Sequence, residues 1–174
     1  MNPTDQNFTH SSGIAEKISR AGGRAFQTEC AELVANKGPV KLGEVGVVNS
    51  GGDNSKLQCL KVINAVVGIW ERDVNVAESI SSCMKSVVNV CNQLSLNTVA
   101  IPLFNTGIYG GSVSQNKATV TALYSAVIDI LSAQGVDGCL RYLVVHLFGL
   151  LFLVLLDTFY PTSVTLLSAI NSPP

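Results

Sequence analysis

Two short segments carry the residue types from which an anion site is built. Asn105-Thr106-Gly107-Ile108-Tyr109-Gly110-Gly111-Ser112 leaves an apolar run and enters a helical pattern. Its glycines let backbone N–H groups approach a ligand closely, and the N-terminus of the following helix favours negative charge. A phosphate or diphosphate suits such a loop. The spacing is not that of a Walker A loop, which needs Gly-Lys-Ser/Thr, nor of a G-x-G-x-x-G dinucleotide fingerprint. A plain turn that needs glycine in the left-handed region fits the same residues equally well. The second segment, Thr9-His10-Ser11-Ser12-Gly13, also opens onto a helical pattern. Its N–H groups either face a second side of the same ligand or begin an ordinary capped helix.

Other chemistries find less support. His10 has no acid paired with it by sequence, and a lone histidine is more often a surface or packing residue. No serine can be matched with a histidine and an acid, so a hydrolytic triad is not indicated. Glu29, Glu32 and Glu44 read most simply as solvated. The five cysteines, Cys30, Cys59, Cys83, Cys91 and Cys139, form no C-x-x-C pair and none stands at metal spacing to His10 or His146. Neither a disulfide scaffold nor a zinc site is expected, and no cofactor. The first residues have no basic and apolar leader pattern, so free thiols in a reducing compartment, cytoplasmic and/or nuclear, are the expectation. Asn7-Phe8-Thr9 matches a glycosylation acceptor only by chance in that setting.

The elements that must position these loops follow from periodicity. Ile14, Ile18, Ala21, Ala25, Cys30, Leu33 and Val34 predict one or two helices over 13–36, broken near Gly22-Gly23, with Ser11 and Ser12 where N-caps belong. Two runs rich in Val and Ile, Glu44 to Asn49 and Cys59 to Val67, flank Ser50-Gly51-Gly52-Asp53-Asn54 and predict a hairpin. Ala77, Ile80, Met84, Val87, Val88, Cys91 and Leu94 predict an amphipathic helix. Thr98 to Leu103 reads as a buried strand, and the glycine-rich loop follows it. A helix from about Ser114 to Leu131 then places Val120, Leu123, Val127 and Leu131 on one side, and a strand begins near Leu140. Alternating helices and strands predict an α/β layer fold, with ligands received where loops leave the carboxyl ends of strands.

Composition limits the partners. The chain has 174 residues, 47% hydrophobic and 13% charged, with a formal net charge of -1 and a mean hydropathy of +0.37. Disorder and binding to nucleic acid by charge alone are excluded. Of the 11 basic and 12 acidic residues, only Asp157 falls between Tyr142 and Pro174. Leu143 to Leu156 is a 14-residue apolar run interrupted by His146 and Gly149. As a helix it would reach about 21 Å, short of the roughly 30 Å hydrocarbon core, so a membrane partner is not favoured. Leu151 to Leu156 alternatively supplies a strand.

Taken in order, these segments resemble the macrodomain family, the ADP-ribose-binding modules, in the style of multi-macrodomain poly(ADP-ribose) polymerase-like proteins. Asn2-Pro3-Thr4-Asp5 is similar to the family's Asn-Ala-Ala-Asn, and His10-Ser11-Ser12-Gly13-Ile14-Ala15 to its His-Gly-Gly-Gly-Val-Ala loop. Ala21-Gly22, Glu29-Cys30, Lys37-Gly38-Pro39-Val40 and Gly43 follow at family spacing. Val62-Ile63-Asn64-Ala65-Val66 resembles its Val-Ile-His-Ala-Val strand, with Trp70 just after. Ile101-Pro102 with Thr106-Gly107-Ile108-Tyr109-Gly110 is the nearest match. The likeness covers about Asn2 to Val145.

The resemblance implies an α/β fold, a macrodomain-like mixed sheet flanked by helices with its first strands missing. Residues 1–148 would form the macrodomain-like part, incomplete at the N-terminus, and 149–174 an apolar tail. It also implies ADP-ribose as ligand. Ser11, Ser12, Gly13 and Ile14 would line one side of the diphosphate, Asn105, Thr106, Gly107, Ile108, Tyr109 and Gly110 the other, and Asn2 and Asp5 would lie near the distal ribose. The departures bear on turnover. Asp5 stands for an Asn of many ADP-ribosyl hydrolases, Ser11-Ser12 for two glycines, and Ala15 for an acid of one hydrolase branch. They favour a non-catalytic reader of ADP-ribose or mono-ADP-ribosylated protein over a hydrolase, with a degenerate module that binds nothing as the remaining alternative.

Overall fold

The computed structural model describes residues 1–73, 75–104, 112–133, 142–147, 150–155 and 166–169. In chain order the elements are β1 (Asn2–Thr4), α1 (Gly13–Lys37), β2 (Val45–Asn49), β3 (Lys61–Val66), α2 (Val76–Gln93), β4 (Thr98–Pro102), α3 (Val113–Ala133), β5 (Tyr142–Leu147), β6 (Leu150–Leu155) and β7 (Leu166–Ala169). A single 3₁₀ turn, Gly52–Asn54, joins β2 to β3. The expected hairpin is therefore present, with Val47 opposite Ile63 in antiparallel register.

Both parallel and antiparallel pairs occur. One ladder runs β1-β3-β2, the other β4-β5-β6-β7. β1 pairs parallel with β3, bringing Thr4 level with Val66, and β4 pairs parallel with β5. The Met1 amine donates to the Ala100 carbonyl at 2.6 Å, which sets β1 beside β4. β1 is too short for any periodicity to reveal, and its Pro3 lacks an N–H. Within the apolar tail, β6 pairs antiparallel with β5 and β7 with β6, so Leu151 to Leu155 lies in a strand. No helix among the described residues is long and apolar enough to cross a membrane.

Helices cover both faces, which is why β3 is apolar apart from Lys61 and Asn64. Val62 and Val66 pack toward α1 with Phe8, Phe26, Cys30, Val40 and Val48. Ile63 and Ala65, pointing the other way, join Ile80, Met84 and Val87 of α2 and Leu123 and Val127 of α3. The buried stripe of α1 is Ala15, Ser19, Gly22, Phe26 and Cys30. In α2 it is Val76, Ser79, Ile80, Cys83, Met84, Val87, Val88 and Cys91. Ala77 and Leu94, expected on that face, are exposed. Val76 and Ile80 stand one turn apart and turn Ala77 outward.

The break expected near Gly22-Gly23 is real, with Gly23 at φ 70 and ψ -164. A kink frees backbone carbonyls, and here the hairpin connection supplies a donor: Lys56 N–H reaches the Ala21 carbonyl at 2.8 Å. The connection approaches closely because it has no side chain in the way. A Cβ on Gly51 would lie 2.1 Å from the Gly22 carbonyl oxygen, and Gly51 sits at φ 108. α1 ends at Gly38, whose φ is 80 and whose N–H bonds the Val34 carbonyl.

Two outcomes test this packing. Gly51→Ala destabilises by about 3 kcal/mol in urea unfolding, because it adds a clash to left-handed strain, whereas Gly52→Ala, with open space around its Cβ position, costs about 1 kcal/mol. Burial raises the thiols of Cys30 to about 11, Cys83 to about 12 and Cys91 to about 11, while Cys59 is exposed. In a Cys139→Ser background, Ellman's reagent therefore titrates one thiol of the native chain, and Cys59→Ser removes that signal.

Candidate ligand-binding site

Parallel pairing decides which loops share an edge. β1 and β3 end level with one another at Thr4 and Val66. The segment after β3 carries Trp70, whose indole N–H donates to Thr119 Oγ1 on α3 at 2.9 Å. The loop after β1 and the segment after β3 therefore leave the same end of the sheet, and the latter reaches Thr119 in the second turn of α3. Asn105, Thr106, Gly107, Ile108, Tyr109 and Gly110 lie outside the described residues. On either side of them, Phe104 is fully buried and Ser112 begins α3 with a reciprocal cap. Ser112 N–H donates to Gln115 Oε1 at 2.6 Å, and Gln115 N–H donates to Ser112 Oγ at 3.4 Å.

The loop from Asp5 to Gly13 is organised by its own side chains. Asp5 Oδ1 accepts the Asn7 N–H at 2.8 Å and the Thr9 N–H at 3.3 Å. Its Oδ2 accepts the Thr9 N–H and the Thr9 hydroxyl. Phe8 (φ 54), His10 (φ 49) and Gly13 (φ 63) all adopt left-handed backbone. For the two residues with side chains this conformation costs energy that burial must offset. Phe8 is 5% exposed and His10 6%. The Phe8 ring fills the place a Cβ of Gly46 would take, its Cζ lying 2.7 Å from that position.

Under the loop lies a buried polar cluster. Asn64 Oδ1 accepts the Asn2 amide at 2.8 Å and faces His10 Nε2 at 3.3 Å. Asn64 Nδ2 donates to Cys30 Sγ at 3.5 Å. The His10 ring stacks at 6.1 Å from Phe8 and tilts at 5.4 Å from Phe26. Burial lowers the His10 pKa below the ordinary value of 6.5, opposed by the Asn64 bond and the Asp5 charge. Asn2 Oδ1 and Thr4 Oγ1, on the same face of β1, are buried with no hydrogen-bond partner among the described residues.

The residues expected from sequence divide accordingly. Asn2 is 0% exposed and engages Asn64. Asp5 is exposed, with both carboxylate oxygens turned to its own loop. Ser11, Gly13 and Ile14 are exposed and Ser12 is half-buried. They form an open rim at the start of α1, where the Glu16 N–H bonds the Ser12 carbonyl at 3.2 Å. Ala15 turns inward at 8% exposure. Asn64 was not expected at the site. Its signal was a polar residue inside Val-Ile-Asn-Ala-Val, which a buried strand tolerates only where partners wait. Chemically the rim offers backbone N–H groups and a helix N-terminus, a setting for an anion.

Known proteins are similar to this chain in sequence and in fold. An uncharacterised protein of Saccharolobus solfataricus is 36% identical over 113 residues, covering 63% of this chain and 59% of that protein. The mouse protein mono-ADP-ribosyltransferase PARP9 is 26% identical over 113 residues, covering 63% of this chain and 13% of the mouse protein. The chain thus spans about three-fifths of the archaeal relative. Among solved structures, the Trypanosoma brucei macrodomain in complex with ADP-ribose superposes with a TM-score of 0.63 at 18% identity, over 78% of this chain and 52% of that one. With the fold in agreement, the family model of the macro domain matches residues 1–120, well over half of the chain, and the chain belongs to the macro domain family.

Proposed function

We propose that this chain binds ADP-ribose, free or as the unit carried by a mono-ADP-ribosylated protein, and reads it without turnover. The observation that carries the reading is the rim at the N-terminus of α1, where Ser11, Gly13 and Ile14 are exposed; the reading sets it opposite the start of α3. A diphosphate between those two starts would meet backbone N–H groups and the positive ends of both helices. The Trypanosoma brucei neighbour, solved with ADP-ribose, supports that ligand. Asn105, Thr106, Gly107, Ile108, Tyr109 and Gly110 are proposed for the second side of the diphosphate, and Asn2 and Asp5 for the neighbourhood of the distal ribose.

Absence of turnover is supported by the groups around the rim. Asp5 accepts from its own loop through both oxygens, His10 is buried against Phe26, and Ala15 offers no acid or base. A general base must reach the proton it abstracts. The buried free thiols Cys30, Cys83 and Cys91 support a reducing compartment, cytoplasm or nucleus, as the place of action.

Calorimetric titration with ADP-ribose gives saturable heat under this reading, and no heat at millimolar ligand overturns it. Ile14 is 44% exposed, so Ile14→Glu leaves the melting temperature nearly unchanged while like charge weakens binding about tenfold, about 1.4 kcal/mol. Gly13→Ala adds a methyl group with nothing within 4 Å of it. It weakens binding to a similar degree at a cost of about 1 kcal/mol in stability. A protein carrying labelled mono-ADP-ribose keeps its label when incubated with the chain. Release in proportion to added chain would replace the reader with the hydrolase.

A further inference from the structure

His10 has no task in the binding reading, yet it sits where the candidate loop is held to the core. Two of the loop's residues, Phe8 and His10, occupy left-handed backbone that glycine adopts readily and they do not. Such a conformation persists only while its surroundings over-determine it. Phe8 is held by its ring over Gly46. His10 is held by three contacts: the Phe8 ring, the Phe26 ring and Asn64 Oδ1. Because Asn64 Oδ1 accepts, the neutral ring that fits carries its proton on Nε2.

The surroundings do not suit an imidazolium. From α1 come the Phe26 ring and, behind Asn64, the Cys30 thiol, which burial keeps protonated. β3 presents the neutral Asn64, and β1 the neutral Asn2 beyond it. The charge that acts on the ring is Asp5 of its own loop, and the Asp5 oxygens already accept from Asn7 and Thr9. Protonation would place a charge on a ring that is 6% exposed, which burial disfavours.

We propose that His10 is a positioning residue whose neutral ring latches the loop from Asp5 to Gly13 in its binding geometry, and whose protonation in mild acid releases that loop. The sign follows from linkage. A histidine that titrates lower when latched than when free stabilises the latch fully above its free value, and the stabilisation is lost as pH falls through the lower one. The consequence for ADP-ribose rests on the binding reading above, but the latch is a property of the chain without ligand.

Nuclear magnetic resonance of the full chain between about pH 7.5 and pH 5, without ligand, tests the latch directly. The His10 ring resonances, identified by their loss in His10→Gln, titrate with a midpoint below that of an ordinary histidine. The amides of Asn7, Thr9, Ser11 and Gly13 move with the same midpoint, while those of Ile80 and Met84 in α2 stay in place. In His10→Gln, which keeps a donor for Asn64, the loop amides no longer follow pH. Stationary loop amides while His10 titrates, or an unchanged acid transition in His10→Gln, overturn the proposal. If His10→Gln does not fold, loss of the other ring signals in His146→Asn makes the assignment and the wild-type co-titration decides alone. In a parallel ADP-ribose titration, wild-type affinity falls by about tenfold per pH unit below the midpoint, and His10→Gln flattens the profile. Affinity that is constant across the range overturns the latch. No binding at pH 7.5 with the loop still titrating overturns the proposed function and leaves the latch standing.

Discussion

A polar side chain in the middle of a strand buried on both faces must find its partners inside the protein, and Asn64 of β3 does so by gathering three other segments around it. Its carbonyl oxygen receives Asn2 of β1 and faces His10 of the β1–α1 loop, and its amide reaches Cys30 of α1. Each bond between neutral groups contributes about 1 kcal/mol, but leaving one of these groups unpaired in the core costs about 1–3 kcal/mol. That asymmetry makes the cluster a statement about register. Slipping β1 by one residue against β3 would turn Asn2 away from Asn64 and toward the apolar layer of α2 and α3.

The loop that carries the candidate rim inherits its shape from this cluster. Left-handed backbone at Phe8 and His10 is sustained by burying both rings under the loop, and the Asp5 carboxylate closes it from the solvent side. The result is a loop whose apolar and polar anchors point down, so that Ser11, Gly13 and Ile14 remain exposed. Small residues play a matching part elsewhere. Gly46 makes room for Phe8, Gly22 leaves space for Phe26, and Gly51 lets the hairpin connection touch α1 at its kink.

Most elements were legible in the sequence because their signals are local. The break at Gly22-Gly23, the hairpin about Gly51-Gly52, the apolar stripe of α2 and the strand Thr98 to Pro102 each follow from spacing within a dozen or so residues. The short β1 was not legible by periodicity, since three residues including Pro3 have none. The tail was ambiguous for a related reason: a short apolar run serves a strand or a buried helix equally. Pairing of Leu143 with Val154 and of Val145 with Phe152 resolves the run into β5 and β6.

Residue types and order alone determined an α/β layer fold, the two glycine-bearing loops and their likeness to the macro domain family, because turn chemistry and periodicity are carried by neighbours in the chain. What the tertiary structure decided is the division of labour among those residues. Asn2 is joined to Asn64, which stands 62 positions away, and the Asp5 carboxylate is turned onto its own loop. His10, a lone histidine in the sequence, becomes a buried contact between loop and sheet. None of this has a local signature, since burial and hydrogen-bond partners are set by segments that meet only once β1 pairs with β3 and α1 packs across them.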